Sequence, residues 1–230
     1  MVLRLAVYAC PRPGTPWHRR SAAWMGRDSV TGQVVPRTDA LGDGDLVELT
    51  ASASGYGFHA TLRSPFRLAD GTEVADCLAA VERVAATLAP AAPRLGIGRI
   101  GGFAAFVPLD DPAPLEQIER ACVTGLDELV RPADDDELAR RRRASLTERQ
   151  DELLVRWGYP YVLDEFRYHM TLTRRLGDDE ADAVLDAARH HFGELDGAAF
   201  PLDDLVVLSQ TDGGPFVELT RVPLGQVLPD

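Results

Sequence analysis

Tyr56-Gly57-Phe58-His59-Ala60-Thr61-Leu62-Arg63 is answered about half a chain later by Phe166-Arg167-Tyr168-His169-Met170-Thr171-Leu172-Thr173. Each copy holds His-x-Thr-Leu behind an aromatic residue. One such tetrapeptide turns up by chance. Two in equivalent settings do not. Both runs are compact, apolar and strand-like, and strand side chains alternate between faces. In the first copy Gly57, His59, Thr61 and Arg63 then share one face, and Phe58, Ala60 and Leu62 the other. In the second, Arg167, His169, Thr171 and Thr173 stand against Tyr168, Met170 and Leu172. Two such strands facing one cleft would gather two imidazoles, their threonines and several arginines around a small anion.

The flanking segments repeat as well. After the first copy, Val74, Leu78, Val81, Ala85 and Leu88 recur at helical spacing until Pro90. A hairpin follows, Leu95 to Leu109 through Gly101-Gly102. After the second copy comes a helix, Asp178 to Phe192. A hairpin closes the unit, Leu205 to Leu208 and Phe216 to Val222 through Asp212-Gly213-Gly214. Strand, helix, hairpin, twice over, predicts an α+β fold built by internal duplication, with two pseudo-symmetric lobes around a central cleft.

The expected single bilobal domain spans 1–230, with the first motif in a lobe of about 40–110 and the second at 169–172. A helical segment, about 113–158, joins them. It comprises a helix over 113–130, another over Asp134 to Arg143, and a third opened by the capping box Thr147/Gln150. Tyr161-Val162-Leu163 reads as a short strand. Met1 to Tyr8, with Leu3, Leu5 and Val7 alternating, reads as the first strand. Pro16 to Gly26 reads as a short helix. Residues 27–55, rich in Gly, Asp, Ser and Thr without clear period, read as loop.

The formal charge is −12, and the 24 basic residues are all Arg. That balance argues against coating long nucleic acid or an anionic membrane. It leaves room for a small anion held by local arginines. Without Lys, a Lys nucleophile, a Schiff base and a phosphate-loop Lys are excluded. Cys10, Cys77 and Cys122 are far apart with no CxxC, so they read as reduced thiols of a cytoplasmic protein. No apolar run reaches the roughly 18 residues that span a bilayer. HExxH and paired CxxC are absent, so no metal and no cofactor are expected. The expected partner is a small phosphorylated substrate, the expected state a monomer.

The paired motif resembles that of the two-histidine (2H) phosphoesterases. The stretches Tyr56 to Phe66, Gly101-Gly102-Phe103, Glu137 to Arg142 and Arg156 to Thr173 are similar to a bacterial branch often encoded with phosphonate-degradation enzymes. The resemblance covers Leu3 to about Val222. It implies a metal-independent phosphodiesterase acting on a small, cyclic sugar or nucleotide phosphodiester. Alternatives are a non-catalytic phosphate or nucleotide sensor and an RNA-end 2′,3′-cyclic phosphodiesterase. By the same resemblance His59 and His169 divide the acid and base roles, and Thr61 and Thr171 hold phosphate oxygens. Arg63, where the family has Lys, and Arg167 balance charge. Tyr56 and Arg143 are further candidate contacts. One neutral and one protonated histidine would give a rate that is bell-shaped in pH, with limbs on either side of neutrality, and arginines two residues from each histidine would lower both imidazole pKa values.

Overall fold

The computed structural model describes residues 3–41 and 43–226; Met1 and Val2, at the head of the expected first strand, lie outside them. Strand β1 (Leu3–Ala9) leads to α1 (Pro16–Met25). The Thr15 side chain accepts a hydrogen bond from the His18 amide to start α1, and Gly26, at φ 67°, ends it. Helix α2 (Asp43–Ser54), β2 (Ala60–Phe66) and α3 (Val74–Ala86) follow, then the hairpin β3 (Leu95–Ile100) and β4 (Phe103–Pro108). Three helices come next: α4 (Ala113–Gly125), α5 (Asp135–Arg142) and α6 (Glu148–Trp157). Strand β5 (Met170–Arg175), α7 (Asp178–Phe192) and the hairpin β6 (Asp204–Thr211) and β7 (Val217–Pro223) complete the chain. The capping box at Thr147 and Gln150 is formed as expected.

The architecture is α+β, with two antiparallel sheets and seven helices among the described residues. One sheet has the order β2-β1-β6-β7, the other β3-β4-β5. Each motif strand therefore shares a sheet with the hairpin that follows the other motif. Strand β2 joins β6 and β7 through β1, and β5 pairs with β4. Neither sheet is contiguous in the chain, and α3 and α7 are the crossovers. The exchange leaves β2 and β5, the two histidine strands, as edges that meet.

One large apolar cluster fills the space between sheets and helices. It joins Val7, Leu62, Phe106, Met170, Leu172 and Val207 from the strands to Val81, Cys122 and Phe192 from the helices. The other face of the four-stranded sheet carries a smaller cluster of Ala6, Tyr8, Cys10, Val206, Leu208 and Phe216. This division follows the period-two alternation along β1 and β6.

Two expectations fail here. Residues 43–54 are helical, not loop. Leu46, Leu49, Thr50 and Ala53 are buried at spacings of three and four. Their small, polar neighbours hide that stripe. The helix is held by packing against β5 and α1, and Arg37 Nη1 donates to Thr50 Oγ1 at 2.8 Å. Tyr161 to Leu163 is not a strand either. Leu163 to Glu165 form a 3-10 turn, with Leu163 at φ 55°. That conformation is costly for a branched side chain. The Leu163 amide donates to both carboxylate oxygens of buried Glu119, each at 3.2 Å, which holds it there.

Candidate functional site

Both histidines sit one residue before their strand, and each is fixed the same way. His59 Nδ1 lies 2.9 Å from the Gly57 carbonyl oxygen, and His169 Nδ1 lies 2.7 Å from that of Arg167. A carbonyl only accepts, so Nδ1 carries the proton. Nε2 of a neutral ring is then the free acceptor. Nε2 of His59 is 3.2 Å from Thr61 Oγ1. Gly57 allows the turn that aims its carbonyl back. Its φ is +77°, and a Cβ there would lie 2.5 Å from Ser29 Cβ.

His59 lies stacked on Tyr8, ring centroids 3.7 Å apart and planes 19° apart. Burial pushes its pKa down to about 4; the hydrogen bond to Gly57 pulls back upward, and the charge of His169 adds to the depression. Arginine is not among the causes, which corrects the expected one. Tyr8 is wholly buried, and its hydroxyl finds no hydrogen-bond partner among the described residues.

Between the motif strands opens a cleft of about 550 Å³ that includes Thr61, His169, Thr171, Arg167, Arg175 and Phe103 in its lining. Gln150, Tyr159, Tyr161 and Glu165 close its other side. Gln150 Nε2 donates to Glu165 Oε2 at 2.9 Å. That leaves Arg167 and Arg175 as the two cationic side chains of the wall. Arg175 also lies over the Phe103 ring, 5.1 Å from its centroid.

Thr61 and Thr171 lie where the alternation put them. Arg63 does not. Val7 pairs with Arg63 but Tyr8 with Thr61, so one extra residue bulges from β2. The bulge turns Arg63 to the core side, with only 1% exposed. The same happens on β5. Ala105 pairs with Thr171 and Phe103 with Arg175. There Thr173 is fully buried, its Oγ1 accepting from the Ala104 amide at 3.1 Å and donating to the Arg174 carbonyl at 2.7 Å. The Trp24 indole donates to the bulged Leu172 carbonyl at 2.9 Å. Thr173→Val would strand the Ala104 amide. We expect a loss of about 1–3 kcal/mol, read as a lower urea midpoint with unchanged slope.

Tyr56 is exposed, stacked on Phe216, with its ring 6.2 Å from that of His59. Arg143 caps the end of α5, is exposed, and does not line the cleft. From the same run Arg141 turns inward, over the Tyr159 ring at 5.1 Å, and pairs with Glu137. Sequence reasoning gave no role to Arg141, Gln150, Tyr159, Glu165 or Arg175. Gln150 was legible only as a capping residue. His18 is tied to Asp28 and His191 to the Arg20 carbonyl, so neither is free for a ligand. Among the described residues no cluster of His, Cys, Asp and Glu could hold a metal, and no helix is long and apolar enough to cross a membrane.

A family model described as a protein of unknown function (DUF1045) matches residues 61–217. The chain belongs to this DUF1045 family. A relative named ribose 1,5-bisphosphate phosphokinase PhnN, from Janthinobacterium sp. (strain Marseille), is 38% identical over 231 residues, covering 96% of this chain and 50% of that protein. A second of the same name, from Laribacter hongkongensis (strain HLHK9), is 34% identical over 223 residues, covering 96% and 51%. The chain thus spans about half the length of the curated relatives it matches. Among solved structures, the conserved protein of unknown function ATU0111 from Agrobacterium tumefaciens str. C58 aligns at a TM-score of 0.44 and 10% identity, over 96% of this chain and 86% of that one. The relatives' name denotes a kinase. It overturns the expectation of a phosphodiesterase.

Proposed function

We propose that this chain binds a phosphorylated pentose between His59 and His169 and supplies acceptor-side proton transfer in a phosphoryl-transfer enzyme of phosphonate metabolism. One observation carries the reading. Two imidazoles each have Nδ1 tied to the carbonyl two residues back; His169 lines the cleft beside Thr171, Arg167 and Arg175, and His59 stands behind its wall with Nε2 3.2 Å from the lining Thr61 Oγ1. A phosphate monoester fits that wall, because guanidinium groups pair with its oxygens in charge-assisted hydrogen bonds and hydroxyls can donate to the rest. His59 is neutral at physiological pH. It can accept the proton of an acceptor hydroxyl as that oxygen bonds to the transferred phosphorus and the bond from phosphorus to the donor's leaving phosphate breaks, the leaving group departing as an anion. The relatives' name supports a bisphosphorylated ribose as the ligand class. The paired, bulged histidine strands support a two-histidine type of fold.

The chain holds no Lys, hence no G-x-x-x-x-G-K-[ST] loop to cradle a nucleotide's phosphates. We therefore assign donor binding to the part of the relatives that this chain does not match. Calorimetric titration tests the reading with ribose, ribose 5-phosphate, ribose 1,5-bisphosphate and ATP. The phosphorylated riboses should bind and ribose should not. Arg175→Met or Arg167→Met should raise Kd by roughly tenfold or more, as loss of a hydrogen bond to a charged group implies. Binding of ATP alone, or variants that bind like the wild type, would overturn the assignment.

A further inference from the structure

The bulge that removes Arg63 from the histidine cleft delivers it to a second hollow, on the opposite side of β2. This space, of about 740 Å³, is lined by Arg63, Asp127, Arg131, Arg156, Trp157 and Gly158 among others. Arg63 is only 1% exposed, yet its Nε and Nη1 have no hydrogen-bond partner among the described residues. Among the described residues no carboxylate lies within ion-pairing distance of it. The nearby acids are committed elsewhere. Asp127 takes both arms of Arg156, at 3.1 and 2.7 Å, and Glu119 takes the Leu163 amide. Burial lowers the Arg63 pKa to about 10, with Asp127 and Glu119 pulling it back up, so it stays charged at neutral pH.

A guanidinium offers five N–H donors in a fixed fork. With its Cζ 5.9 Å from the Phe66 ring centroid and Nε and Nη1 unengaged, the buried group keeps donors suited to an oxyanion. Arg131, exposed on the wall of the same hollow, forms no ion pair among the described residues. Asp151 and Glu152 in the lining are paired with Arg142 and Arg149, and Glu148 lines the hollow beside them. These acids disfavour a highly charged ligand and leave room for one small oxyanion. We infer that Arg63 and Arg131 form a second binding site, separate from the histidine cleft, for a single phosphate or similar small oxyanion group. Thr61 and Arg63 are two residues apart on one strand but face opposite ways. Occupancy of this site thus bears directly on the bulge that positions Thr61.

Trp157 and Gly158 make the site readable without any activity. Nitrogen-15 NMR would follow the Trp157 indole and Gly158 amide during titration with inorganic phosphate. Both signals should shift saturably in the wild type, and equally in His169→Ala, which disables only the cleft. In Arg63→Met the shifts should vanish, and in Arg131→Ser the Kd should rise roughly tenfold, the loss of one charge-assisted contact. Arg131 is exposed, so that variant decides the matter even where Arg63→Met fails to fold. No saturable shift in the wild type would mean that water alone fills the hollow, and the inference falls. It falls too where the shifts disappear in His169→Ala, or where both arginine variants titrate like the wild type. Failure of the pentose reading would leave these outcomes unchanged.

Discussion

His59→Ala should lower turnover of the bound pentose phosphate by roughly 10²–10⁴-fold, the range for a general acid–base group, with Kd changed only a few-fold. Turnover would be followed by phosphorus NMR, with ATP, Mg²⁺ and the unmatched half of a relative supplied. The argument rests on the ring's surroundings. Stacked on Tyr8 and tied to Gly57, His59 has a pKa near 4. A base must be neutral to act, so kcat/KM should be flat in His59 ionisation from about pH 5 upward. It should fall about tenfold per unit below pH 4, as the proton occupies Nε2. This differs from the bell with limbs on either side of neutrality expected of one neutral and one protonated histidine. An acid limb near pH 6.5, or near wild-type turnover in His59→Ala, would remove the ring from the reaction.

The reason for that difference shows which parts of the fold were legible. Helix α7 could be read to the residue, because Gly177, the acidic first turn and the apolar stripe from Ala181 to Ala188 all agree. The Thr147/Gln150 box was equally local. The histidine pair was visible as a repeat, but the strands begin one residue later than the repeat suggested, at Ala60 and Met170. The placement of Arg63 was not legible. A bulge belongs to a pair of strands, and nothing in Ala60 to Phe66 alone says that Tyr8 will pair with Thr61 and Val7 with Arg63. The partner exchange between hairpins was hidden for the same reason. Either hairpin is chemically able to join either motif strand. Helix α2 was masked by propensity, since Gly44, Thr50, Ser52 and Ser54 are weak helix formers and only tertiary packing selects the helix. At the cleft, Arg175 was out of reach because the sequence pattern predicts nothing beyond the bulge.

Phe106→Ala should cost about 3–5 kcal/mol, a large share of the roughly 5–15 kcal/mol that holds a typical domain together. Phe106 is fully buried on β4, opposite Ile97 on one side and Met170 on the other. Its ring meets Trp17 of α1 at 5.0 Å, Phe192 of α7 at 4.9 Å and Phe58 at 5.9 Å, all near edge-on. Such contacts add to the apolar transfer term. Four separate elements close on this one side chain, and none can collapse into its space without dragging a strand or helix along. Two of the neighbours are adjacent in sequence to the histidines: Phe58 precedes His59, and Met170 follows His169. A cavity at Phe106 should therefore loosen both imidazoles together. Phe106→Leu keeps most of the volume and should lose less than half as much. Urea unfolding of the two variants measures the ordering. If Phe106→Ala lost under about 1 kcal/mol, less than cavity formation at a rigid site costs, the ring would not be the joint between the two histidine strands.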